Sequence, residues 1–141
     1  MRYRKMENRY VLRLERGERI VAALTAFCGK RKIRAGSFNG IGTCRGAELG
    51  FFDGEKKVYH WKKLKGDYEI TALVGNVGVL EGKPFVHAHI TLGGRDFRAW
   101  AGHLKEAETS ATCEIVLRPF PGELRRAFDP ASGASKLLAE G

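Results

Sequence analysis

From Ile33 onward the chain alternates short apolar-rich runs with glycine, proline, asparagine and aspartate. That texture commits about a hundred residues to β structure. Seven runs predict strands over 33–39, 43–52, 56–63, 67–79, 84–92, 97–105 and 111–118. Ahead of them, Tyr10-Val-Leu-Arg-Leu predicts a short strand. Residues 17–28 then predict a helix, because Ile20, Leu24 and Phe27 recur at i, i+4 and i+7 with Val21 and Cys28 beside them. Gly29 supplies its expected stop. A second short helix is expected around Gly122–Phe128. The fold class that follows is α+β: one many-stranded, mostly antiparallel sheet with one main helix packed on a face.

A chain of 141 residues suits a single domain over 1–141. Residues 1–8 read as a basic N-terminal extension and 129–141 as a loose tail. With 43% hydrophobic and 29% charged residues the composition is that of a globular protein. No apolar run approaches the ~18 residues of a membrane helix, and no apolar stretch of a secretory signal follows the basic start. Cys28, Cys44 and Cys113 are odd in number, far apart and without C-x-x-C spacing. They are expected reduced, as in the cytoplasm.

The net charge of +9 is unevenly spread. Residues 1–34 carry eleven basic side chains against three acids, and the rest of the chain is close to neutral. Such a stretch attracts polyanions by counterion release without reading their sequence. Arg2, Arg4, Lys5, Lys30, Arg31 and Lys32 are the DNA-contact candidates, although Lys30-Arg31-Lys32 also suits the negative end of the preceding helix.

The glycine-rich stretch Gly36 to Gly50 fails as a nucleotide loop. Arg45 stands where G-x-G-x-x-G from Gly40 requires glycine, and no G-K-[ST] follows. Its glycines are expected to bend the sheet or permit close backbone approach.

Three of four histidines fall between Phe85 and Leu104. On a strand, His87 and His89 share a face about 7 Å apart. A hairpin closed at Gly93-Gly-Arg-Asp, with Leu92 facing Arg98, sets His103 across from His87 and Ala101 across from His89. All three imidazoles then lie on the side away from Val86, Ala88, Ile90 and Leu92. Three neutral imidazoles at one point suit Zn²⁺ or a similar divalent ion, with a fourth position open. His60 lacks companions and is expected as an exposed strand residue.

Taken in order, the opening strand and helix, Gly36-Ser-Phe-Asn-Gly-Ile-Gly-Thr, Gly66-Asp-Tyr-Glu-Ile-Thr, Leu73-Val-Gly-Asn-Val-Gly, His87-Ala-His89 and Gly102-His103-Leu resemble the plant and prokaryote conserved (PPC) domain. That family is best known in plants attached to AT-hook peptides. The resemblance implies a strongly bent sheet, a homotrimer, and kinship of fold with acetolactate decarboxylase, a zinc enzyme with an H-x-H pair and a later histidine. Carried onto this chain, that metal pattern is His87, His89 and His103. The plant partner-binding motif corresponds to Gly66, Asp67, Tyr68, Glu69, Ile70 and Thr71, with an acid where the family has arginine. The Arg-Gly-Arg-Pro core of the AT-hook is absent, so minor-groove insertion by such a peptide is not expected.

The function carried forward is a DNA-associated, regulatory oligomer that binds DNA weakly and without strong selectivity, and that holds a three-histidine metal site. The alternative is a metal-dependent small-molecule binder or enzyme, decarboxylase-like or hydrolytic. In it Arg95 or Arg98 would hold an acidic ligand and Glu48 or Glu69 would move protons.

Overall fold

The computed structural model describes residues 1–138. β1 (Arg2–Met6) and β2 (Arg9–Glu15) form a hairpin, and α1 (Ile20–Arg31) follows. The chain continues through β3 (Gly36–Asp53), β4 (Val58–Lys63), β5 (Asp67–Leu80), β6 (Lys83–Gly93) and β7 (Ala99–Pro119). β8 (Arg125–Asp129) and β9 (Ala134–Leu137) close it.

All nine strands join one sheet, antiparallel except where β8 lies parallel to β5. Within it β3, β5, β6 and β7 pair in a closed circuit, which a sheet achieves only by bending strongly. The expected α+β plan holds in outline, with a single helix among the described residues, but by content the protein is mainly β.

The sequence-predicted strands 33–39 and 43–52 are one continuous β3, and 97–105 and 111–118 are one continuous β7. What separates their halves is not a turn but a set of register shifts, at Gly40/Gly42 against β5 and near Gly42, Arg45 and Glu48 against β7. Each shift leaves one or more residues unpaired and sharpens the bend. Gly42 sits at φ +147, and a Cβ there would lie 2.2 Å from the Thr112 carbonyl oxygen, so only glycine fits. The glycine-rich stretch is therefore a bent strand.

α1 lies later than expected. It runs through Gly29 and ends where Lys32 turns left-handed (φ 55), its N–H donating to the Cys28 and Gly29 carbonyls. Its first turn is capped from afar, since the Glu106 carboxylate accepts from the Val21 N–H (2.8 Å) and the Ala22 N–H (3.1 Å). Ile20, Leu24, Phe27 and Cys28 are buried, as the periodicity requires. They meet Leu12, Leu14, Leu73, Ile90, Ile115 and Leu117 in one core on the inner side of the sheet.

Three other expectations are corrected. Residues 122–128 are not a helix, for 125–129 form β8, held by pairing to β5 and β9. The stretch taken as a basic extension over 1–8 contains β1, anchored because the terminal amine meets Glu18 and Tyr3 packs on Phe27 at 5.2 Å. Of the tail 129–141, residues 134–137 are β9, and 139–141 lie outside the described residues.

Candidate metal centre

His87 and His89 stand two residues apart on β6, so the pleat aims both at the outer side of the sheet. His103 arrives from β7 directly across from His89, and Leu92 faces Trp100. The expected pairing of His103 with His87, and of Ala101 with His89, is thus displaced by two residues. A slip of two preserves sidedness, and the three rings still converge. Their centroids are 5.0–5.3 Å apart, and one nitrogen from each lies within 4.8 Å of the others.

β6 carries the pair because its alternate residues Val86, Ala88, Ile90 and Leu92 are buried in the core. Close approach of β5 holds it there: Gly75 pairs with Ala88, and a Cβ at Gly75 would lie 2.1 Å from the His87 carbonyl oxygen. On the other flank an aromatic wall begins at His103. Tyr59 lies 5.3 Å from its ring, and Trp61 stacks on Tyr59 at 4.9 Å. Gly50 pairs with both Trp61 and His103, and its missing side chain lets the indole lie across the strand.

The donor set fits a divalent ion. It consists of three imidazoles, His103 Nδ1 is buried without a hydrogen-bond partner, and His89 stays exposed. His87 is half-buried and its pKa is pushed down to about 4, by burial first and then by Arg126, His103 and His89. His103 is lowered too, by burial first and then by His89 and Arg126. Neutral imidazole is the form that ligates.

Arg126 on β8 is the residue that sequence reasoning missed. Its Nη2 donates to His87 Nδ1 at 3.1 Å and to Asn76 Oδ1 at 2.8 Å, and its Nη1 donates to the Ser135 carbonyl at 3.0 Å. An imidazole accepting at Nδ1 carries its proton on Nε2, so His87 becomes a ligand only by giving up Arg126. Arg126 and Phe128, two residues apart on β8, line one cavity of about 300 Å³ with His87 and His103, and no local sequence signal marks them.

The other candidates lie elsewhere. Arg95 and Arg98 are exposed on the β6–β7 turn, Glu48 is paired with Lys105 at 3.0 Å, and Glu69 is exposed on β5. None of the four lines the histidine cavity. His60 is exposed on β4, 3.5 Å from Asp53, as expected. Gly66, at φ +92, leads into β5, where Asp67 pairs with Arg45 at 3.4 Å, Tyr68 is half-buried, Glu69 is exposed and Ile70 is core.

Arg2, Arg4 and Lys5 are exposed on β1, and Lys30, Arg31 and Lys32 on the end of α1. The two groups meet, with the Arg31 guanidinium 4.7 Å over the Tyr3 ring. Arg2 pairs with Arg13 and Met6 with Arg9 in the hairpin. Arg2, Arg4, Arg9 and Arg13 therefore share one side, tempered by Glu15 beside Arg2 and Arg13. Cross-strand pairs connect Arg4 to His89 through Val11, Val116, Asn39 and Val74, so the basic side and the histidines occupy the same outer surface. Five strand steps separate them, about 24 Å along the sheet.

Comparison with known proteins agrees with this architecture. A candidate DNA-binding protein of Bacteroides thetaiotaomicron is 34% identical with a TM-score of 0.94, over 97% of this chain and 96% of its own. A PPC protein of Pyrococcus horikoshii is 33% identical with a TM-score of 0.88, over 99% and 96%. A metal-containing protein of Archaeoglobus fulgidus is 37% identical with a TM-score of 0.88, over 95% of each chain. A Staphylococcus aureus protein similar to α-acetolactate decarboxylase shares the fold alone, at 15% identity and a TM-score of 0.58 over 79% of this chain and 52% of its own. No curated protein matches. The Plants and Prokaryotes Conserved domain matches residues 1–121, and the chain belongs to that family.

Proposed function

We propose that this protein is a zinc-holding, DNA-associated homotrimer of the cytoplasm, with His87, His89 and His103 as the metal ligands. The observation that carries it is the convergence of one nitrogen from each of three imidazoles within 4.8 Å. An all-imidazole set favours zinc among abundant divalent ions over calcium or magnesium, which prefer oxygen. The metal-containing relative supports the presence of an ion, whatever its identity. An ion with three protein ligands and an open side supplies Lewis acidity toward a carbonyl or water.

DNA association is supported by the shared side of Arg2, Arg4, Arg9 and Arg13 and by the candidate DNA-binding relatives from Bacteroides thetaiotaomicron and Ralstonia eutropha. Arginine contacts to phosphates carry no sequence information, so binding through this face is weak and unselective. Assembly is supported by Ile41 and Val74, which lie 59% and 50% exposed on the outer surface. A reducing compartment is supported by three buried thiols, each with its pKa pushed up to about 12 by burial.

Zinc titration of metal-free, untagged protein tests the proposal. One ion per chain is expected, lost in His87→Ala and His103→Ala and kept in His60→Ala. No uptake, or uptake that survives His103→Ala, contradicts it.

A further inference from the structure

Arg126 is 8% exposed, the one buried charged side chain among the described residues. No carboxylate is within 4.0 Å of it there. Its contacts to Ser135, Asn76 and His87 are all to neutral acceptors, and its Nε is buried with no partner among the described residues. A guanidinium withdrawn from water with no counter-charge among the described residues is costly to keep, and such a cation attracts an anion.

That cation lines the 300 Å³ cavity beside His87 and His103. The remaining walls are largely aromatic. Phe85 lies under the guanidinium at 5.3 Å, Tyr59 and Trp61 stand on the His103 side, and Phe128 flanks the opening. One charged group among apolar walls is the pattern of a small-molecule pocket. A guanidinium matches a carboxylate, and the flat rings match a flat apolar body. A phosphate finds too few donors here, because three of the five N–H groups are committed and the walls offer mainly rings.

We infer that this cavity binds a small organic carboxylate with a flat, apolar body, its charge held by Arg126 beside the three histidines. The inference rests on the metal proposal in one respect only. When His87 turns to ligation it releases an Arg126 N–H, which becomes available to the carboxylate. Metal and carboxylate therefore favour each other's binding, and by linkage each does so by the same factor.

Benzoate is the probe, with benzamide as its uncharged counterpart and inorganic phosphate as the alternative anion. Untagged full-length protein is first titrated with zinc, then the metal-free and zinc-loaded forms are titrated with each probe by calorimetry, with tryptophan emission reporting on Trp61. Benzoate should bind one per chain, at least tenfold tighter than benzamide or phosphate, and about tenfold tighter with zinc than without. Arg126→Gln should lose at least tenfold in benzoate affinity while still taking up zinc. Phe128→Ala, at a side chain 62% exposed, should weaken benzoate several-fold with the fold intact, and it decides the matter if Arg126→Gln does not fold. Equal binding of benzamide or phosphate, or benzoate affinity unmoved in both variants, overturns the carboxylate site. Benzoate binding that depends on Arg126 in protein that takes up no zinc keeps the carboxylate site and overturns the metal proposal instead.

Discussion

Gly75→Ala is expected to unsettle the histidine site without touching a histidine. The added Cβ would lie 2.1 Å from the His87 carbonyl oxygen and 2.5 Å from the Phe38 Cζ. Ordinary contact begins near 3.4 Å, so the oxygen would have to retreat by more than 1 Å. Neither neighbour can yield easily, because the oxygen belongs to the β5–β6 ladder and Phe38 is core. Overpacking of this kind costs ~1–3 kcal/mol, and straining or losing a ladder hydrogen bond adds ~1 kcal/mol. The smaller entropy of the alanine unfolded chain returns ~0.4–1 kcal/mol. The net loss is about 2 kcal/mol, or roughly 6 °C in Tm at ~2–4 °C per kcal/mol for a chain near this length. Gly50→Ala is the control. The three atoms nearest its Cβ would all belong to the Trp61 ring, at 2.6 Å and beyond, and that 41% exposed side chain yields more readily than a ladder carbonyl. It should cost less than about 1 kcal/mol while shifting tryptophan emission. Thermal unfolding followed by circular dichroism decides between them. Equal Tm values for Gly75→Ala and the parent would refute the close packing that positions His87.

Further outcomes follow from the remaining contacts. Glu106→Ala removes the acceptor of two N–H groups at the start of α1 and should lower stability by about 1–2 kcal/mol, read as a shift in the urea midpoint, with Glu106→Gln in between. In metal-free protein His87 stays neutral down to about pH 4, whereas the unfolded chain takes up that proton near pH 6.5. Stability should therefore rise with pH between 4 and 6.5 and be lost on acidification, by under about 2 kcal/mol since half of the ring meets solvent. A midpoint that is flat across this window, or equally steep in His87→Gln, would contradict the assignment. DNA affinity should fall linearly in log–log terms as salt rises, with a slope of about −0.9 per phosphate neutralised. Replacing Arg2, Arg4 and Lys5 together should flatten that slope and His87→Ala should not, whereas tight binding of one duplex sequence at physiological salt would refute a backbone-only contact.

The histidine set was legible because strand parity survives the register error. His87 and His89 share a face by spacing alone, and a hairpin displaced by two residues still brings His103 to that face. The displacement arises in the turn, where Phe97 takes φ 61 and Arg98 leaves the ladder, a conformation that an aromatic residue gives no reason to expect. The core face of α1 was legible from its period, but its end was not, since the helix runs on past Gly29 through exposed Lys30 and Arg31 to the left-handed Lys32. Long bent strands look like pairs of short ones, because a bulge glycine and a turn glycine carry the same local signal. Arg126 was hidden for a different reason. Its burial depends on β8 lying parallel to β5, a contact between residues 79–80 and 125–126 that no local pattern announces.

X-ray absorption at the zinc edge of loaded, untagged protein tests the metal centre most directly. Three histidine ligands predict a shell of nitrogen or oxygen scatterers at ~2.0–2.1 Å with the outer scattering of about three imidazoles, and no sulfur near ~2.3 Å. The imidazole contribution should collapse in His103→Ala. A sulfur shell, or an oxygen-only shell that is the same in His103→Ala, would contradict the account.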